Sequence, residues 1–359
     1  MSHRYPAALV TLVAAAGVVG AAPAAAASPP TSPVEVVVSG LDDPLGLSHD
    51  GGRFYVAESA AGEVSGFVPG GRATVRLADF AGPASVDRHD GRLFVVTGEG
   101  EPGSPGASTL WTSKRGEPRR ALADLAAFEL AENPDGQLQF GPDGAPLDAL
   151  SNPFSVLAGH GDGQAFAYVA DAGGNSVLAV EEDGEVRTLF APPVVTTGAC
   201  AGVPNNDARH TGCDPVPTGL AWGPGGDLYV STLSGEAPGA GRVYVLDPRT
   251  GAVLDTVDGL DGPTGVAVGD DGAVYVSELL EGAPQGEPGP GFDPTSVGRI
   301  VRVDVDGDRS VAQVTMPVGL TWADGALYST AWSVAGSFLG QTGLGQVVRV
   351  GQDAFVPAP

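Results

Sequence analysis

A four-residue word, Pro-x-(Gly/Ser)-(Leu/Val), recurs six times along the 359-residue chain, followed each time by a short Gly/Asp turn and a strand-like run such as Tyr-Val-Ala-Glu. The copies begin at Pro44, Pro83, Pro153, Pro217, Pro263 and Pro317, and their partner runs end at Glu58, Thr97, Asp171, Thr232, Glu278 and Thr330. Sheet units repeating at roughly 40 to 50 residues predict a β-propeller, because a lone four-stranded sheet cannot cover both faces until neighbours stack on it. The expectation is therefore an all-β, six-bladed β-propeller of four-stranded antiparallel blades, with the third blade starting late behind an inserted segment.

Numbering the strands of a blade a to d outward from the axis, the a–b and c–d turns are short and rich in Gly and Asp, as in Asp50-Gly51-Gly52 and Asp306-Gly307. Such residues supply the positive φ of tight hairpins. In an up-and-down sheet both turn classes share one end of the ring. The long insertions fall on the opposite end, in the b–c loops 98–108, 233–241, 279–298 and 333–345 and the crossovers 122–152 and 190–216. In repeat proteins the insertion-bearing face is often the binding face.

The last unit lacks an outer strand, while Val34-Glu35-Val36-Val37-Val38 precedes the first tetrad without a blade of its own. This N-terminal strand is expected to complete blade six, closing the ring and removing a sheet edge. Leu122, Leu125 and Phe128 recur at helical spacing before Asn133-Pro134-Asp135-Gly136, which predicts a short helix in the crossover ahead of blade three.

Residues 1–27 read as a secretory signal: Arg4 near the start, an apolar stretch over 7–20, and Ala25-Ala26-Ala27 as a small-residue cleavage site. The remainder, 28–359, is expected to be one propeller domain, exported and free of the membrane after cleavage. Cys200 and Cys213, the only two cysteines, suit a disulfide in an oxidising compartment; a metal site with His210 would lack a fourth ligand. A formal charge of -25 with a single lysine, Lys114, repels polyanions and excludes nucleic acid and anionic membrane as natural partners.

One column of the six b strands reads Glu58, Thr97, Asp171, Thr232, Glu278, Ala331, with acids in alternate blades. Three carboxylates a third of a turn apart could face one another across the central funnel, with Asp43 and Asn152 adding oxygens, and calcium takes 6 to 8 such ligands. The competing reading is structural, since an acid at a strand end commonly accepts backbone N–H bonds from the next turn. No nucleophile–base arrangement is visible: His49, His89 and His160 belong to short turns, and His210 to the cysteine loop.

The repeat units resemble NHL-type propeller repeats, with Tyr168-Val169-Ala170-Asp171 and Gly174-Asn175 close to that pattern. Over most of the chain the resemblance is to the exported ScyD/ScyE family. It is carried by Ala123-Asp124-Leu125-Ala126-Ala127-Phe128-Glu129 running into Glu132-Asn133-Pro134-Asp135-Gly136, by Ser151-Asn152-Pro153-Phe154, and by Val169-Ala170-Asp171-Ala172-Gly173-Gly174-Asn175. The chain departs from the family at Tyr229-Val230-Ser231-Thr232-Leu233, where relatives more often carry a Gly-Glu pair. The resemblance implies a secreted propeller without an established reaction, and Glu129, Asn133, Asp135, Asn152, Asp171 and Asn175 as its polar residues on the loop-rich side.

Two functions follow as expectations. The first is a non-enzymatic module binding a small molecule, glycan or protein on its loop-rich face. The alternative is a calcium-dependent lactonase- or esterase-like hydrolase, similar to gluconolactonase and paraoxonase propellers, with Glu58, Asp171, Glu278 and Asn152 holding calcium as a Lewis acid.

Overall fold

The tetrads become the innermost strands of a ring. In the computed structural model, which describes residues 33–358 apart from 101–103, 162, 285, 287, 288 and 290, the strands form six antiparallel sheets. The expected signal segment, 1–27, lies outside the described residues. Blade one comprises Pro44–Asp50, Arg53–Glu58, Glu63–Phe67 and Thr74–Leu77, and each strand pairs with the next in sequence. The inner strands of the following blades are Pro83–His89, Pro153–Ala158, Pro217–Trp222, Pro263–Val268 and Leu320–Ala323.

The reason for glycine in the tetrad lies between blades. A Cβ on Gly46 would sit 2.5 Å from Ser85 Cα, one on Gly265 would sit 2.1 Å from the Val318 carbonyl oxygen, and one on Gly319 would sit 2.3 Å from that of Leu45. Inner strands of neighbouring blades therefore meet backbone to backbone, which only glycine permits at these positions. Hydroxyls stitch the same seam: Thr218 Oγ1 donates to the Pro263 carbonyl at 2.9 Å, and Thr330 Oγ1 donates to that of Leu45 at 3.3 Å.

Closure follows the sequence expectation. The N-terminal strand Val34–Leu41 pairs with Gly345–Val350 and supplies the outer strand of blade six. Blade five departs from four strands, because Val356–Pro357 adds a fifth against Arg309–Ala312. Between blades, alternate residues of the b strands fill six apolar clusters, and a seventh, of Val195, Cys200, Cys213 and Ala240, lies around the disulfide. Val56 and Phe54 pack toward blade six with Tyr328, while Ala57 and Tyr55 pack toward blade two with Val95. This is the period-2 pattern of strands buried on both faces.

The expected helix is present as α1 (Leu125–Glu132), but Leu122 belongs to the preceding strand, Arg120–Asp124. Asp124 caps the helix by accepting from Ala127 N at 3.0 Å, and Asn133 ends it at φ 47°. The helix thus begins only where a side-chain oxygen satisfies a free amide. A second, shorter helix, α2 (Ala335–Leu339), lies in the 333–345 loop. Among the described residues no helix is long and apolar enough to cross a membrane.

Candidate functional site

The acid column comes first, because sequence placed a metal there. Each acid holds the backbone that leads into its own blade. Glu58 accepts from Asp42 N at 3.0 Å, Asp171 accepts from Asn152 N at 2.7 Å and from Ser151 Oγ at 2.6 Å, and Glu278 accepts from Asp261 N at 2.7 Å. Burial raises all three carboxyls above their ordinary values. Asp43 is engaged elsewhere, capping the first turn of α2 through Gly336 N and Ser337 N. Asn152 accepts from Glu99 N at 3.1 Å, on the loop of the preceding blade.

The three acids are not brought together. Among the described residues, the one group of three or more carboxylates whose ligand oxygens all lie within 4.8 Å of one another is Asp261, Glu278 and Glu281, so only Glu278 of the column takes part in such a group. A guanidinium already occupies that group: Arg299 donates from Nε to Glu278 at 2.5 Å, and it reaches Asp261 at 3.0 Å and Glu281 at 3.1 Å. Arg299 is the direct cross-strand partner of Glu278. Its planar fork offers the carboxylates the positive charge a cation would otherwise supply.

A different group of sequence-singled residues does converge. The crossovers 125–152 and 190–216 enclose a small cleft of about 40 Å³ lined by Glu129, Asp135, Asn175 and, beyond the expected set, Asp148, Asp207 and Asp214. Glu129 projects from α1, and Gly174 beside it leaves room, since a Cβ there would lie 2.8 Å from Glu129 Oε2. Asn175 donates to Asp135 at 3.0 Å and accepts from Val216 N at 3.1 Å, tying the third blade to both crossovers. Asn133 bonds instead to the Gln137 carbonyl at 2.9 Å. It shapes the turn rather than lining the cleft.

The two crossovers are laced together. Leu138 N donates to Asp207 at 2.9 Å, Gln137 to Asp214 at 2.9 Å, Asn206 to Asp148 at 2.9 Å, and Arg209 to the Gly136 carbonyl at 3.0 Å. The disulfide Cys200–Cys213 closes the second crossover, ruling the thiols out as metal ligands. In this cleft Arg209 pairs with Asp207 and holds its carboxyl well below the usual range. Burial does the opposite to Glu129, which it lifts to about 7 with help from the charges of Asp135 and Asp171, and it raises Asp214 as well. The cleft thus presents a surplus of carboxylates, with one of them poised to lose its proton near neutral pH. Sequence reasoning missed Asp148, Asp207 and Asp214 because they lie in irregular loops without a periodic signal.

A larger space runs down the axis. A channel of about 440 Å³ is lined by the inner strands of all six blades. At its short-turn end stand His49, His89 and His160, with the last two rings stacked at 4.2 Å. His210 lies away from them, 3.7 Å from Asp207 in the cysteine loop.

No protein-family model matches the chain, and no curated protein matches it. Solved structures do. The calcium-binding protein regucalcin from Agrobacterium tumefaciens superposes with a TM-score of 0.51 at 14% identity, covering 89% of this chain and 94% of its own. A streptogramin B lyase gives 0.51 at 13% identity over 88% and 96%, and a luciferin-regenerating enzyme gives 0.55 at 13% identity over 90% and 97%. At these identities the likeness is one of fold. The chain shares the six-bladed β-propeller of proteins that include enzymes and a calcium-binding protein.

Proposed function

We propose that the protein is an exported, non-enzymatic binding module of the ScyD/ScyE type. It takes its ligand on the loop-rich face, at the cleft between the two long crossovers. The observation that carries this reading is the convergence of Glu129, Asp135 and Asn175 with Asp148 and Asp214 in one cleft, where Arg209 is already committed to Asp207. Such a surface recognises cationic groups, the amines and guanidinia of a protein or small molecule, and electrostatic attraction speeds their encounter with a chain of net charge -25. The ScyD/ScyE resemblance of the segments that build this cleft supports the same reading. So does the disulfide, which suits an oxidising compartment.

Calorimetric titration of the mature protein with an Arg-Lys dipeptide amide tests it, with and without calcium as a competitor for the carboxylates. Saturable binding that weakens about tenfold in Asp214→Asn, with no turnover of lactones or aryl esters, supports the reading. Binding unchanged in the variant, or hydrolysis of either substrate class, overturns it.

A further inference from the structure

The carboxylates of the cleft differ in which of their oxygens are already in use. Asp135 accepts from Gln137 N at 2.9 Å on one oxygen and from Asn175 at 3.0 Å on the other. Asp148 is filled in the same way by Ala149 N at 2.8 Å and Asn206 at 2.9 Å, and Asp207 by Arg209 and Leu138 N, each at 2.9 Å. Two others are used on one side only. Gln137 and Asn205 both donate to Oδ1 of Asp214, at 2.9 Å and 2.7 Å, and Gln139 donates to Oε1 of Glu129 at 3.1 Å. Among the described residues no donor reaches Asp214 Oδ2 or Glu129 Oε2.

Glu129 is the more telling of the two. The residue is only 5% exposed, yet it lines the cleft. Its Oε2 faces Gly174, between the cleft-lining Gly173 and Asn175, where a Cβ would come within 2.8 Å and cover it. The oxygen is not sealed away either, since the fully enclosed unpaired side-chain oxygens among the described residues are those of Ser48, Asn133 and Ser176. A nearly buried carboxylate oxygen without a donor gains most from one brought by a ligand.

The geometry separates three kinds of cation. A divalent metal needs several oxygens close together, and the group of three that lies within 4.8 Å, Asp261, Glu278 and Glu281, is outside this cleft. A guanidinium is held best by both oxygens of one carboxylate through parallel N–H bonds, and no carboxylate of the cleft keeps both free. An ammonium is a compact charge whose three donors turn to separate single oxygens. We propose that the cleft selects a primary ammonium group, the tip of a lysine side chain or of a linear amine, and that Glu129 Oε2 is its seat. This rests on the reading of the cleft as the ligand site.

The seat holds a cation only when ionised. Glu129 is faced by Asp135 from the turn after α1, by Asp171 from the end of strand Ala167–Asp171, and across the cleft by Asp148, Asp214 and Asp207, the last with Arg209 and His210 beside it. Burial, and then the charges of Asp135 and Asp171, lift its carboxyl to about 7. An alkyl ammonium keeps its charge to about pH 10, so its arrival displaces a proton at pH 6 but not at pH 8, and binding should tighten about tenfold between them.

Calorimetric titration of the mature protein with Nα-acetyl-lysine amide, Nα-acetyl-arginine amide and calcium chloride tests this at pH 6 and pH 8, in two buffers of different ionisation enthalpy. The lysine probe should bind at least about tenfold more tightly than the arginine probe or calcium, with proton release at pH 6 alone. Glu129→Gln should weaken lysine binding about tenfold at pH 8 and abolish the proton release. Gly174→Ala, which covers Oε2 and leaves Glu129 in place, should weaken it as well, and decides if the first variant fails to fold. Equal affinity for the lysine and arginine probes, tighter binding of calcium, binding unchanged in both variants, or a proton release that survives Glu129→Gln and so belongs to His210, overturns the proposal while the cleft remains the ligand site. Absence of saturable binding by either organic probe overturns both the proposal and the reading on which it rests.

Discussion

Replacing Arg299 by leucine removes the guanidinium that separates Glu278, Asp261 and Glu281, and the consequence can be worked from their exposure. The Glu278 side chain is 1% exposed, whereas those of Asp261 and Glu281 are 38% and 39% exposed, so water screens the latter two and they contribute little. Glu278 would keep one backbone donor, Asp261 N, and lose its charged partner. Removing one member of a buried pair costs about 3–5 kcal/mol, and the remaining amide places this site near the lower end, about 3 kcal/mol. A chain of this length has an unfolding entropy of roughly 0.7 kcal/mol/K, so the melting temperature should fall by about 4 °C. Burial already raises the Glu278 carboxyl, and losing Arg299 raises it further. An acid whose folded value is raised is most stabilising when protonated, below its unfolded value, and loses that contribution as pH rises through the folded value. The gap between variant and parent should therefore widen from pH 4 to pH 8. With the guanidinium gone, three carboxylates within 4.8 Å form an oxygen cluster that calcium can use, and added calcium should recover part of the loss in the variant alone. Calorimetric melting at several pH values, with calcium and then chelator, reads all of this, and Arg299→Lys serves as the charge-retaining control. A variant as stable as the parent at pH 8, or equal calcium shifts in both proteins, refutes the assignment of Arg299 as the resident counter-charge.

Three further outcomes are expected. Glu129, 5% exposed and lifted from 4.5 to about 7, should withdraw about 3 kcal/mol of stability as pH rises between those values; urea unfolding of Glu129→Gln should show a flatter profile and a more stable protein at pH 8, and parallel profiles would contradict this. Replacing Cys200 and Cys213 by alanine should cost about 3 kcal/mol in the chain-entropy account and raise amide exchange across 190–216; an unchanged melting temperature would show that the hydrogen bonds between the crossovers suffice alone. Gly265→Ala, whose Cβ would lie 2.1 Å from the Val318 carbonyl oxygen, should destabilise by about 1–3 kcal/mol, while Gly289→Ala, with nothing within 4 Å, should be neutral on the same thermal melt.

The ring was legible because its cause is local. The small third residue of the tetrad, glycine in four blades and Ser85 and Ser155 in the other two, answers to contact between adjacent inner strands, and the turn glycines to positive φ, so both leave a period in the sequence. Strand Val34–Leu41 could be assigned to blade six by counting, since the ring was one outer strand short. The fifth strand of blade five could not, because two residues, Val356–Pro357, carry no alternation. Leu122 was misplaced because three apolar residues at helical spacing straddle a strand end, and the capping oxygen of Asp124 decides where the helix begins. The acid column was visible, but its partners were not. Whether a carboxylate points to a shared cation or to its own crossover amide depends on backbone geometry that spacing does not encode. Arg299 was within reach, since pairing the b and c strands of blade five in register places it opposite Glu278. The cleft was half legible: Glu129, Asp135 and Asn175 stood out, whereas Asp148, Asp207 and Asp214 are gathered by a disulfide and long-range hydrogen bonds.

The central claim is that ligand is held between the crossovers without being transformed. Hydrogen–deuterium exchange of the mature protein, with and without a saturating Arg-Lys dipeptide amide, tests it most directly. Slower exchange confined to 125–152, 173–175 and 190–216, with the peptide recovered intact, is the predicted result. Protection elsewhere on the ring with these segments unchanged, or recovery of a cleaved peptide, would contradict it.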